Sequence, residues 1–171
     1  TNAPESDMVA VTAKLREMGC RIAEAPGRIA LSAPQRLTAF GQLQTQPHPG
    51  FPTDMQVQML ALLAVSEGTG VITENVFENR FTHAGDLNRM GAHILCTGRT
   101  AVVRGVRELY GARVTARDLR GGAALVLAGL KAHGETHVEH AELIDRGYDH
   151  LERQLTELGA NIRRVSGEAT E

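Results

Sequence analysis

The feature that most constrains this chain is that it repeats itself. Leu15-Arg16-Glu17-Met18-Gly19-Cys20-Arg21-Ile22 recurs as Leu87-Asn88-Arg89-Met90-Gly91-Ala92-His93-Ile94, and again as Leu155-Thr156-Glu157-Leu158-Gly159-Ala160-Asn161-Ile162. The period is roughly 70 residues, too long for a solenoid unit and suited to a duplicated subdomain. Each copy reads as the last turn of a helix, a glycine just past its end, and a strand. Glycine is favoured there because the terminating residue adopts a left-handed conformation that a Cβ opposes. A second element recurs as well. Residues 54–68 and 118–134 both open on an acid, continue as an Ala/Leu-rich helix and stop at a glycine. Helices apolar nearly all round are expected to be buried.

The resulting expectation is an α/β fold (α+β in some schemes) built from repeated βαβαββ units. Helices are expected at 6–18, 54–67, 83–90, 118–132 and 146–158. Strands are expected at 20–24, 28–32, 40–45, 70–74, 92–97, 100–104, 112–116, 135–139 and 161–164. Residues 1–45 read as an incomplete first unit, 46–108 as a second and 109–171 as a third. The first unit lacks its opening strand and buried helix, and the chain does not begin with Met. A missing N-terminal side is the expectation. The ends, 1–5 and 166–171, read as frayed.

Composition narrows the function classes. Aromatic residues make up 4% of the chain and Trp is absent, so the core must be mainly aliphatic. A formal net charge of -2 argues against a nucleic-acid partner or a polybasic membrane contact. No apolar run reaches membrane-spanning length, and the N-terminus carries no signal-peptide pattern. Two distant cysteines, Cys20 and Cys96, fit a reduced, cytoplasmic protein better than a disulfide framework.

Chemistry is expected in two loops. Pro47, Pro49 and Pro52 stiffen a segment that delivers Asp54 to a helix start. Residues 73–81 pack two acids, two amides and an arginine behind a strand. Thr53 and Gln56 have capping-box spacing, so Asp54 is either a helix-terminal acid matched to the dipole or a catalytic carboxylate. Asp118 carries the same two readings. Arg120 sits in the first turn of its helix, where a cation opposes the dipole, so local physics gives no reason for it. Arg80 and Arg146 are either anion-binding forks or surface ion pairs, the latter between Arg146 and Asp145 or Glu142. Phe77 and Phe81 are either core residues or, for Phe77, part of a ligand-facing turn with Val76. Glu78 and Asn79 read as braces of that turn. His133, His137 and His140 lie near Glu135 and Glu139, but their strand alternation does not put them on one face, so no metal is expected. Gly121-Gly122 inside a helix implies close packing or ligand approach.

Six segments carry a family resemblance. They are Pro49-Gly50-Phe51-Pro52-Thr53-Asp54-Met55-Gln56, Ile72-Thr73-Glu74-Asn75-Val76-Phe77-Glu78-Asn79-Arg80-Phe81, Asn88-Arg89-Met90-Gly91-Ala92, Asp118-Leu119-Arg120, Leu125-Val126-Leu127-Ala128-Gly129 and Asp145-Arg146-Gly147-Tyr148. Together they resemble the enolpyruvyl transferases, and within them the branch acting on UDP-N-acetylglucosamine rather than the branch acting on shikimate phosphate. The resemblance implies one lobe of a two-lobed inside-out α/β barrel, with the active site between the lobes. It implies phosphoenolpyruvate and UDP-N-acetylglucosamine as substrates, no cofactor, and a role in peptidoglycan precursor synthesis. It assigns Asp54, Asp118 and Arg146 to catalysis, and Asp54, Val76, Phe77, Arg80, Arg120 and Arg146 to substrate binding. The family's proton donor lies on a mobile loop of the opposite lobe, with a lysine, an arginine and an asparagine. None of these is matched here, so Cys20 and Cys96 are expected to be non-catalytic and the isolated chain inactive.

Overall fold

The computed structural model describes residues 5–165. The expectation of frayed ends concerns residues outside this range, apart from Glu5, which opens the first helix. In chain order the elements are α1 (Glu5–Glu17), β1 (Arg21–Ala25), β2 (Arg28–Ser32), β3 (Gln42–Gln44), α2 (Thr53–Ala64), β4 (Thr69–Thr73) and α3 (Ala84–Arg89). They continue with β5 (His93–Thr97), β6 (Thr100–Arg104), β7 (Arg113–Thr115), α4 (Leu119–Lys131), β8 (His137–Glu139), a 3-10 turn (Ala141–Leu143) and α5 (Leu151–Glu157).

The stretch from β3 to β6 is one complete βαβαββ unit. Its four strands lie in the order β3-β4-β6-β5. β3 runs parallel to β4, with Leu43 opposite Ile72, and β6 is antiparallel to both of its neighbours. β1 and β2 form a separate antiparallel hairpin, and β7 pairs parallel with β8.

The sequence repeat is a repeat of hydrogen bonds. The amide after each capping glycine returns to a leucine carbonyl five residues back: Cys20 to Leu15 at 3.0 Å, Ala92 to Leu87 at 3.1 Å and Ala160 to Leu155 at 3.0 Å. Gly19, Gly91 and Gly159 have φ of 93°, 98° and 92°, the left-handed conformation that makes this closure possible. The next strand entry repeats too. Thr38 N–H donates to the Met18 carbonyl at 3.0 Å, and Tyr110 N–H donates to the Met90 carbonyl at 2.8 Å.

α2 and α4 pack against each other in the core. Val57, Leu60 and Leu63 of α2 and Ala124 and Leu125 of α4 are fully buried. Each fully buried Val or Leu side chain contributes about 1.5–3 kcal/mol. Gly122 allows α4 to lie close to its neighbours: a Cβ there would stand 2.7 Å from Ile144 Cγ1 and 2.9 Å from Ala116 Cβ. That supports close packing at Gly122, whereas a Cβ at Gly121 would meet only the Asp118 side chain, at 3.0 Å. The core is aliphatic with two aromatic insertions, Phe40 and Phe51.

The structure corrects several expectations. α4 is not buried all round, because Leu127 and Leu130 are each 41% exposed. The helix expected at 146–158 begins only at Leu151: residues 144–150 form turns and a bend, and His150 has φ of 45°. Residues 161–164 form no strand. In the two earlier copies this segment pairs antiparallel with the strand that follows it, and among the described residues 161–164 have no such partner. Thr53 and Gln56 form no capping box. Pro52 occupies the cap position of α2 without a side-chain bond, and the Thr53 hydroxyl is committed elsewhere. Among the described residues no helix is long and apolar enough to cross a membrane.

Candidate functional site

Three segments far apart in sequence meet at Asp54. The first turn of α2 presents its carboxylate, which is half exposed. Arg80, from the loop after β4, donates through Nη2 to Asp54 Oδ1 at 2.8 Å. Arg120, from the first turn of α4, donates through Nη2 to Asp54 Oδ2 at 2.9 Å. Each carboxylate oxygen therefore holds a separate guanidinium. The ill-placed cation of the α4 first turn is explained by this tertiary partner. Partial burial works against the charge on Arg120, but the hydrogen bonds to Asp54 and Tyr148 outweigh it and raise its pKa.

Asp118 is the N-cap of α4. Its Oδ1 accepts from the Arg120 and Gly121 amides at 3.0 and 2.8 Å, and its Oδ2 accepts from the Thr82 hydroxyl at 3.3 Å. The capping reading of Asp118 thus holds, and the cap fixes the backbone that carries Arg120.

Tyr148 joins the Asp145–Tyr148 segment to this cluster. The Arg120 guanidinium lies 5.5 Å from its ring centroid. In the orientation that pairs both ends of its amide, Gln58 accepts from the Tyr148 hydroxyl at 3.1 Å and donates to the Asp54 carbonyl at 2.8 Å. Arg146 stands two residues from Tyr148, exposed in the turn before α5. It is not at a helix start, and its expected local ion pairs do not form. Asp145 is held instead by both terminal nitrogens of Arg164 at 2.7 Å, and Glu142 pairs with His140 at 3.1 Å. Arg146 keeps its guanidinium outside any ion pair among the described residues.

Val76 and Phe77 lie in an exposed turn, so the core reading of Phe77 fails: its ring is 51% exposed and the Arg80 guanidinium sits 5.4 Å from its centroid. Phe81 is part-buried and packs against the main core. Arg99 clamps the turn from outside by donating to the Asn75 carbonyl and to Glu78 Oε1, both at 3.3 Å. Glu78 is thus a brace, and Asn79 supplies a left-handed bend with φ of 55°.

Two residues here escape sequence reasoning. Glu74 is buried and accepts four hydrogen bonds, from Thr45, Thr53, Val76 and Phe77. Its two side-chain partners are 29 and 21 residues away, and no local pattern reports such a contact. His83 is buried at 2% exposure, and neither ring nitrogen has a hydrogen-bond partner among the described residues. Burial pushes its pKa down to about 4; the Arg80 charge adds to this, and Asp118 and Asp86 oppose it. A buried neutral imidazole behind the guanidinium of Arg80 avoids a second cation there.

His133, His137 and His140 do not converge. Their nearest acids are Glu108 at 3.8 Å, Glu135 at 3.8 Å and Glu142 at 3.1 Å respectively. His140 leaves the strand with φ of 58°. A trough of about 1380 Å³ between β8 and residues 161–165 contains none of the candidate site residues. The Asp54 cluster is an open wall, with two fixed cations around one carboxylate and a third guanidinium close by in sequence to Tyr148. Guanidinium groups fixed side by side on such a wall suit an anionic ligand.

The chain is similar to several known proteins. The family EPSP synthase (3-phosphoshikimate 1-carboxyvinyltransferase) matches residues 1–155. A UDP-N-acetylglucosamine 1-carboxyvinyltransferase of Myxococcus xanthus is 55% identical over 157 residues, which is 92% of this chain and 37% of the relative. UDP-N-acetylglucosamine 1-carboxyvinyltransferase 1 of Symbiobacterium thermophilum is 58% identical over 156 residues, 91% of this chain and 35% of the relative. The crystal structure of the enolpyruvyl transferase NikO from Streptomyces tendae superposes with a TM-score of 0.84 at 28% identity, covering 94% of this chain and 37% of that one. The chain spans little more than a third of the length of these proteins.

Proposed function

The chain belongs to the EPSP synthase family of enolpyruvyl transferases, and from that premise we propose that it supplies one wall of a site joining phosphoenolpyruvate to UDP-N-acetylglucosamine. The sugar 3-hydroxyl adds to C2 of phosphoenolpyruvate while a proton reaches the methylene carbon. Loss of phosphate and of one methyl proton then restores the double bond and leaves the enolpyruvyl ether. The product is a precursor of peptidoglycan, and its nucleotide-linked form fits a cytoplasmic reaction.

On this reading Asp54 accepts the hydroxyl proton or orients the hydroxyl, a task that contributes on the order of 10²–10⁴ in rate. Arg80, Arg120 and Arg146 hold the carboxylate and phosphate of phosphoenolpyruvate through charge-assisted bonds, with forks that Lys does not reproduce. Substrate anions compete with Asp54 for Arg80 and Arg120, so their arrival frees the carboxylate for the hydroxyl. Asp118 serves by holding Arg120 in place. The Val76–Phe77 turn faces the nucleotide sugar. The proton donor to carbon and the remaining contacts come from the opposite lobe, and the chain alone does not turn over.

The observation that carries this reading is the convergence of Arg80 and Arg120 on Asp54, from three separated segments. The test is a chimera in which this chain replaces the matching segment of the Myxococcus xanthus relative. Phosphate release and product mass are followed with UDP-N-acetylglucosamine and phosphoenolpyruvate. Transfer to UDP-N-acetylglucosamine and none to shikimate 3-phosphate is the expected result. The reverse preference moves the chain to the sibling branch named by the family match. Binding of UDP-N-acetylglucosamine by the chain alone, with no transfer by the chimera, points instead to a non-catalytic binding lobe.

A further inference from the structure

We propose that Glu74 is a positioning residue that ties the Val76–Phe77 turn to the N-terminus of α2, so that the nucleotide-sugar contact and the Asp54 carboxylate are held by one buried group. The inference rests on the roles proposed above for Asp54 and for the turn, and no part of it is needed to reach those roles.

The carboxylate of Glu74 stands at the end of β4 and is 1% exposed. Its Oε1 accepts from the Thr45 hydroxyl at 2.7 Å, the Val76 amide at 2.8 Å and the Phe77 amide at 3.0 Å. Its Oε2 accepts from the Thr53 hydroxyl at 2.8 Å. Oε1 is saturated by three donors and Oε2 holds one, in a group that is 1% exposed. Burial therefore keeps a ligand away from Glu74, and its role is to hold other groups. Burial works against its charge, but the donated bonds prevail and keep the carboxyl ionised below the usual range.

The four donors divide into two arms. One arm is Thr53, the residue before Asp54, whose hydroxyl would otherwise be free to cap its own helix. The other is the turn: Thr45 donates to Glu74 and in addition accepts from the Asn75 amide at 2.8 Å. Three successive amides, Asn75, Val76 and Phe77, are thus fixed by one hydroxyl and one carboxylate. Glu74 is the buried group common to both arms; Arg80, which donates to Asp54 and lies 5.4 Å from the Phe77 ring centroid, joins the same segments from the exposed side.

The arms can be cut one at a time. In the chimera, Thr53→Val is expected to lower kcat about tenfold with the KM for UDP-N-acetylglucosamine within about twofold of wild type. Thr45→Val is expected to raise that KM about tenfold with kcat within about twofold. Glu74→Ala shows both changes. Glu74→Gln keeps the KM nearer wild type, because its amide oxygen can still accept the three donors of Oε1. In the chain itself, amide exchange read by NMR should speed up about tenfold or more at Val76 and Phe77 in Glu74→Ala, and at Asn75 in Thr45→Val, with Leu60 and Leu63 unchanged. Equal effects of the two threonine variants on kcat and KM, or no effect of either, overturn the inference. So does unchanged protection of the three turn amides. A wild-type chimera without transfer activity strikes the functional reading and the catalytic half of this inference, and the exchange data then judge the structural tie alone.

Discussion

Arg120 Nη2 donates to Asp54 Oδ2 at 2.9 Å across 66 residues of sequence. The bond joins the first turns of the two helices that the repeat sequence predicts to be equivalent, α2 and α4. Each helix contributes one member of an ion pair from its second residue, so the starts of two repeat-related helices meet in one cluster. In the active chimera, Asp54→Asn should cut turnover by about 10²–10⁴ while sparing UDP-N-acetylglucosamine affinity. The isolated chain should change little in stability, because exposed ion pairs contribute about 0–1 kcal/mol. Steady-state kinetics and calorimetry check the two halves. Normal turnover removes Asp54 from the mechanism.

Arg120 makes a charged bond to Asp54, and its guanidinium lies 5.5 Å from the Tyr148 ring centroid. Lysine keeps the charge and loses the planar fork of donors. Arg120→Lys should therefore raise the KM for phosphoenolpyruvate by about 10- to 100-fold, the loss of one charge-assisted fork worth roughly 1.5–3 kcal/mol. The KM for the nucleotide sugar should hold. A variant with unaltered kinetics for phosphoenolpyruvate rules out anion binding by Arg120.

His83 makes stability pH-dependent with a definite sign. Its folded pKa is about 4 against an ordinary value of 6.5, set first by burial and then by the Arg80 charge, with Asp118 and Asp86 opposing. Between those values the unfolded chain binds a proton that the folded chain refuses. The contribution is thus complete above pH 6.5 and is lost as pH falls toward 4, amounting to about 3 kcal/mol in all. Glu74 acts in the same direction at lower pH, since its carboxyl is held below 4.5 in the fold. Urea denaturation of the wild type at a series of pH values should show stability falling below pH 6.5. His83→Leu should flatten that fall between pH 6.5 and 4.5 and leave the steeper loss below it. An unchanged slope in His83→Leu refutes the assignment.

What was legible in the sequence was whatever depends on neighbours in the chain. The three glycine caps, the buried faces of α2 and α4 and most strands follow from local pattern, because Schellman closure and apolar periodicity are properties of five to fifteen consecutive residues. Arg120 was legible as an anomaly, a cation where its own helix disfavours one. Its partner was not, since nothing near residue 120 points to residue 54. Thr53 shows the opposite failure. Its spacing to Gln56 satisfies a local rule, but the hydroxyl goes to Glu74, because a buried carboxylate needs a donor more than an exposed helix end does. Residues 161–164 carry a strand-forming pattern and make no strand, because a strand needs a partner that pattern cannot supply.

Two glycines separate backbone strain from crowding as reasons for the residue type. At Gly91 the conformation is left-handed, with φ of 98°, while an added Cβ would meet only Tyr110 Cδ2 at an ordinary 3.5 Å. Gly91→Ala should therefore cost about 1–2 kcal/mol from conformation alone. At Gly122 the reverse holds. The residue is inside α4, where alanine is the better helix former by about 1 kcal/mol. Its Cβ, however, would press on Ile144 Cγ1 at 2.7 Å and Ala116 Cβ at 2.9 Å, and the 3-10 turn carrying Ile144 would have to shift. Overpacking of that kind costs about 1–3 kcal/mol, enough to cancel or reverse the gain. The double variant Gly122→Ala with Ile144→Val removes a methyl from the crowded side and should recover part of the loss, whereas no second substitution beside Gly91 should rescue Gly91→Ala. Denaturation midpoints of the three variants and the wild type distinguish the cases. A Gly122→Ala chain more stable than wild type would show that α4 tolerates the added methyl and that the packing argument is wrong.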